Sequence, residues 1–118
     1  MANLNKVFLI GNLTKDVELR YTTSGQAVGS TGMGINRRWK SGEEMKEDTT
    51  FVNLVVWGKQ SEVLTEYARK GSLIHVEGRL QNRSWEDKEG GKHSITEIVV
   101  DNFQLLDKKE KTEETKEE

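Results

Sequence analysis

Phe51-Val52-Asn53-Leu54-Val55-Val56-Trp57 is the stretch whose reading decides the fold. It is rich in β-branched and aromatic residues and holds neither Pro nor Gly, so it predicts a strand. Strand side chains alternate between faces. Val52, Leu54 and Val56 share an aliphatic face suited to a core. Phe51, Asn53, Val55 and Trp57 share the other, with a large ring at each end. At the usual strand rise the two rings stand about 20 Å apart. That spacing suits a flat, repeating ligand, and stacked nucleobases are one candidate. From this strand alone, a sheet buried on both faces is the stronger reading.

Working outward, Gly58 stops the strand, and Ser61–Lys70 predicts a helix. Val63, Leu64, Tyr67 and Ala68 form its apolar stripe, Arg69 and Lys70 fall in its last turn, and Gly71 is a natural stop. Leu73–Trp85 predicts a strand with Ile74, Val76, Gly78 and Leu80 inward. Its outer row ends Arg79, Gln81, Arg83, Trp85. Ser94–Leu106 predicts another strand. On the N-terminal side, residues 4–13 form a first strand whose run Val7–Ile10 does not alternate, as if a core covered one face and a partner subunit the other. Gly11 within it suggests a bend. Ala27–Trp39 is a weaker strand, interrupted by Gly29, Gly32 and Gly34, with Arg37 and Trp39 on one face at its far end. The polar stretches 40–48 and 86–93 predict mobile hairpin loops.

Three strands, one helix and two strands suit an all-β, five-stranded Greek-key barrel of the OB type, with the helix between strands three and four. The 118-residue chain divides into a barrel domain, 1–107, and a flexible charged tail, 108–118. After Asp107 the tail holds only Lys, Glu and Thr, which cannot bury a core. With no Cys, disulfides and thiolate chemistry are excluded. No apolar run is long enough to span a membrane and no signal peptide opens the chain, so a cytoplasmic protein is expected. The net charge of −2 rules out a generic polycation, leaving the distribution of Lys and Arg to decide the partner.

Other chemistries fit poorly. His75 and His93 stand alone, without Cys or clustered carboxylates, so no metal or cofactor is expected. The segment Gly29–Gly34 has the wrong spacing for a dinucleotide fingerprint, and Gly58-Lys59 lacks a phosphate-binding glycine loop. Glu43-Glu44 and Glu86-Asp87 read as solvated turn residues rather than acid–base pairs. Nothing assembles a nucleophile with a base, so no enzyme is expected. Trp39 lies in Arg37-Arg38-Trp39-Lys40 and Trp85 in Arg83-Ser84-Trp85-Glu86, settings unlike those of core anchors.

Several ordered segments carry a resemblance. They are Asn5-Lys6-Val7 through Gly11-Asn12-Leu13, Asp16–Tyr21, Trp39, Gly58-Lys59, Glu66-Tyr67 with Arg69-Lys70-Gly71, Val76–Leu80, Arg83-Ser84-Trp85, and Thr96-Glu97 to Val99-Val100. Over roughly residues 4–106 the chain resembles bacterial single-stranded DNA-binding proteins. The resemblance implies an OB domain that binds single-stranded DNA without sequence preference in replication, recombination and repair, and that assembles as a homotetramer. The family's stacking aromatics fall on Trp39, Phe51, Trp57 and Trp85, with ring type exchanged at Phe51 and Trp57. Lys6, Arg20, Arg37, Lys40, Lys59, Arg79 and Arg83 are placed near the phosphates.

Three departures stand out. Val17 replaces a common Pro, and Gly32-Met33-Gly34 is unusually glycine-rich. The family's acidic tail usually closes on a short apolar tip that docks replication and repair proteins. No apolar residue follows Leu106 in this sequence, so the tail is either truncated or that of a short-tailed member, and recruitment through the usual docking tip is not expected. The rival within the fold is a primosome-type OB accessory protein working mainly through protein contacts. A pure assembly module is the rival from another class.

Overall fold

A computed structural model of the chain describes residues 2–107, and the 108–118 tail expected from composition lies outside them. The elements run β1 (Val7–Leu13), β2 (Glu18–Tyr21), β3 (Ala27–Ser41), β4 (Glu44–Trp57), α1 (Lys59–Tyr67), β5 (Leu73–Glu86) and β6 (Lys92–Leu105). The sheet order is β1-β5-β6-β4-β3-β2, and an added β1–β3 pairing closes β1, β3, β4, β5 and β6 into a five-stranded barrel. β4 and β6 pair in parallel, the other neighbours antiparallel. The OB-type barrel with its single helix between β4 and β5 is as expected, and β2 adds a short strand along β3.

The aliphatic face of β4 lies in the core. Leu54 and Val56 pack with Leu13, Met33, Leu64, Ile74, Val76, Ile98 and Val100, and Val52 packs partly buried against them. At roughly 1.5–3 kcal/mol per fully buried large aliphatic side chain, this cluster is the main stabilising term. On β1, Val7 and Leu9 pack on the core while Phe8 and Ile10 are exposed. The non-alternating run is therefore apolar on both faces, and among the described residues nothing covers one of them. β1 starts later than expected. The Asn5 side chain instead makes two hydrogen bonds to the Leu80 backbone, donating to its carbonyl and accepting from its N–H.

Three expectations are corrected. The helix spans 59–67 rather than 61–70, and Arg69 and Lys70 lie beyond it. Their amides donate to Ser72 Oγ at 3.0 Å and to Asp16 Oδ1 at 2.8 Å, so side chains outside the helix capture this backbone. The buried helix positions are Ser61 and Leu64, joined just beyond the helix by Ala68, whereas Val63 and Tyr67 face out. Finally, the stretch 40–48 is mostly strand, whereas in 86–93 only Glu86, Lys92 and His93 are strand and 87–91 form the expected hairpin loop. β3 and β4 pair continuously from Val28↔Trp57 to Ser41↔Glu44 around a two-residue Gly42-Glu43 turn. Gly42 takes φ 66° at the first turn position, the backbone that matches strand twist. β5 and β6 pair out to Glu86↔Lys92. Both ribbons project beyond the core, so both their faces are wet and their sequence looks like loop.

Candidate nucleic-acid interface

Phe51, Trp57 and Trp85 are 70%, 40% and 44% exposed. Strand alternation puts Phe51 and Trp57 on the outer face of β4, and Trp85 on the outer face of β5 with Arg79, Gln81 and Arg83. The Phe51 ring lies over Gly34, its partner on β3. A Cβ at Gly34 would stand 3.3 Å from the ring's Cε1, so the glycine lets the ring lie flat on the sheet. This accounts for one of the glycines that β3 otherwise carries against its strand propensity.

Trp39 is placed differently. β3 and β4 pair without a bulge, and by alternation Trp39 shares the parity of Met33 and Ile35. It therefore sits on the opposite face of the ribbon from Phe51 and Trp57. The Arg37 guanidinium lies 4.4 Å from its ring centroid, a cation–π contact.

The sheet face between Trp57 and Trp85 holds a cavity of about 230 Å³ lined by Arg20, Val55, Trp57, Gln81, Arg83 and Glu97, among others. Val55 is 8% exposed, so this outer face has an apolar floor. Glu97 is 5% exposed, a charge that would be costly to bury without a partner. Arg83 supplies that partner, donating from Nε to Oε1 at 3.1 Å and from Nη2 to Oε2 at 3.3 Å. The hydrogen bond to Glu97 and its negative charge raise the Arg83 guanidinium above its ordinary pKa. Arg83 also lies 5.1 Å from the Trp85 ring centroid. Arg79 is likewise paired, at 3.0 Å from Asp101. Two of the bases expected near phosphates thus already hold protein acids.

Arg20 reaches the same face from β2, and Tyr21 Oη beside it donates to Glu62 at 3.0 Å, tying β2 to α1. Lys40 is exposed near the end of the β3–β4 ribbon, and Lys59 is exposed at the start of α1. Lys6 lies 5.8 Å from the Phe8 ring, on the apolar side of β1. The structure therefore brings together Phe51, Trp57, Trp85, Arg20 and Arg83, and leaves Trp39 with Arg37, and Lys6, on other surfaces.

Sequence reasoning missed Glu97 as the acid that holds Arg83. Its signal was a lone carboxylate at outward parity in the apolar run Ile95–Val100. Asp87, expected as a solvated turn residue, is one, and its side chain also fixes the turn. One oxygen of Asp87 accepts from the Glu89 and Gly91 amides at 3.0 and 2.7 Å, and the other meets His93 Nε2 at 2.8 Å. The His93 contact, then the Gly91 and Glu89 amides, hold the Asp87 carboxyl below its usual range. Its support of the turn is present above the ordinary carboxylate pKa and is lost as pH falls through the lowered value. Asp87→Ala should speed exchange of the Glu89 and Gly91 amides about fivefold or more at neutral pH while leaving barrel amides unchanged, as followed by NMR.

The family model described as "Single-strand binding protein family" matches residues 4–106. The chain belongs to this family. A similar relative, "Single-stranded DNA-binding protein 3" of Streptococcus agalactiae serotype V, is 39% identical over 112 residues, 95% of this chain and 80% of that protein. "Single-stranded DNA-binding protein 1" of Streptococcus pyogenes serotype M18 is 44% identical over 112 residues, 95% of this chain and 85% of its own length. Among solved structures, a chain from "Plasmodium falciparum SSB complex with ssDNA" superposes with a TM-score of 0.80 at 27% identity. That match covers 91% of this chain and 98% of the other.

Proposed function

We propose that the chain binds single-stranded DNA without sequence preference, in replication, recombination and repair, and acts as a binding protein rather than an enzyme. The observation that carries this is the set of exposed rings Phe51, Trp57 and Trp85 on one sheet face, with Arg20 and Arg83 beside them. Every base has a π-face, so stacking at about 1–3 kcal/mol per base is indifferent to sequence. Bases held apart on separate rings cannot re-anneal and are shielded from nucleases. Lys40, Lys59, Arg20 and Arg37 supply phosphate contacts that weaken with salt.

Titration of the intrinsic tryptophan fluorescence with oligo(dT) at low and high salt tests the proposal. Strong quenching is expected, with affinity that falls as salt rises. A folded chain whose emission is unchanged by oligo(dT) would make the indoles structural and favour the assembly module.

We also propose that a second copy of the chain covers the outer face of β1, within a homotetramer. Phe8 and Ile10 are 60% and 53% exposed there, an apolar pair that none of the described residues covers. Sedimentation at micromolar concentration should show an oligomer for the native chain and a clear shift toward monomer for Phe8→Asp with Ile10→Asp. A native monomer would overturn this assembly.

A further inference from the structure

The tip of the β5–β6 ribbon is built more tightly than a solvated hairpin needs. Trp85 and His93 face each other directly across the ribbon. Their ring centroids lie 5.5 Å apart with the planes 20° from parallel. Such an offset stack contributes more than its buried area alone. The imidazole is not free to turn, because Nε2 meets Asp87 Oδ2 at 2.8 Å. Asp87 is itself fixed by the Glu89 and Gly91 amides. A chain of fixed groups thus runs from the turn backbone through Asp87 and His93 to the Trp85 ring.

This fixed pair borders open space. A cavity of about 460 Å³ is lined by Ser84, Trp85, Glu86, Lys92, His93 and Ser94, and it has room for a nucleobase. The pair also lies on a continuous track. By alternation His93, Ile95 and Glu97 share one face of β6 with Trp85 and Arg83 of β5. That face leads to the cavity beside Trp57. A strand that stacks on Trp57 and follows this face toward the ribbon tip meets His93 last.

We infer that His93 is a further contact for the single strand: stacked on Trp85 and held by Asp87, it extends the aromatic surface that one base meets at the ribbon tip. The inference rests on the DNA-binding reading above. Asp87 from the turn and Trp85 with Arg83 from β5 surround the imidazole, while Glu86 and Lys92 border the same cavity.

The test compares the native chain, His93→Ala and His93→Phe for oligo(dT) affinity at neutral pH. Fluorescence anisotropy of a labelled oligonucleotide gives the affinity, and circular dichroism confirms folding. His93→Ala should weaken binding about tenfold, through loss of the second ring. His93→Phe keeps a ring at this position and should stay within about twofold of native. If the native chain binds and His93→Ala binds as well, or if His93→Phe is as weak as His93→Ala, the inference fails. A native chain that leaves oligo(dT) free overturns the binding proposal itself, and this inference with it.

Discussion

Replacing Trp39 and Trp85 together by alanine is expected to weaken oligo(dT) binding at least about tenfold while the barrel stays folded. Neither ring belongs to the core cluster. Both sit on ribbons that project past the barrel, Trp39 opposite Lys46 and Trp85 opposite His93. Each has an arginine on it, Arg37 at 4.4 Å and Arg83 at 5.1 Å, which keeps the ring in place while part of it stays open. Removing both rings takes away two stacking platforms and leaves these arginines in place, so the loss should fall on the part of the affinity that resists salt. The two ribbons are separate, so the single substitutions should add. Titration at two salt concentrations, with a thermal melt of each variant, measures this. Unchanged affinity of a folded double variant would remove stacking at these rings from the mechanism.

Gly78→Ala is expected to cost about 3 kcal/mol of stability, the upper end for inserting one methyl group into a packed interior. The register of β5 on β6 shifts between Glu77 and Gly78, where the barrel wall bends. A Cβ at Gly78 would collide with the Val99 carbonyl oxygen and lie 3.1 Å from Ile98 Cγ2. The obstacle is backbone, held by the parallel β4–β6 pairing at Val55↔Val99, so it cannot turn aside as a side chain would. Gly11 is constrained in the same way by the Gly34 carbonyl. Urea denaturation should show a lower midpoint with an unchanged slope. A loss under about 0.5 kcal/mol would mean that β6 slides to make room, and that the bend does not need a glycine.

Where a face is dry, the chain could be read directly. Val52, Leu54 and Val56 alternate because one side of β4 is core and the other is not, and both the order of elements and the position of the helix followed from such runs. The ribbon ends could not be read this way. From Arg37 to Lys46 both faces meet water, so no period of two is imposed on residue type, and Lys, Glu and Ser look the same in a strand as in a loop. The last helical turn was misread for a different reason: Arg69 and Lys70 suit a helix end locally, but Asp16 and Ser72, distant or later in sequence, take their amides. In the candidate interface Trp85 was legible as an aromatic among charges, and Phe51 and Trp57 as the outward rings of an alternating strand. The pairing of Arg79 and Arg83 was not, because it depends on which carboxylates β6 sets opposite them.

The side on which Trp39 sits has a consequence for the ligand's path. Because the ribbon carries Phe51 on one surface and Trp39 on the other, no flat course reaches both rings of one copy. A strand that engages the full set has to pass over a ribbon edge and change direction there. If the proposed stacking uses all the rings, contact with the protein would set the curvature of the nucleic acid. A fragment too short to make that crossing would meet only one side of the ribbon, and the number of rings engaged would then grow in steps with length rather than smoothly.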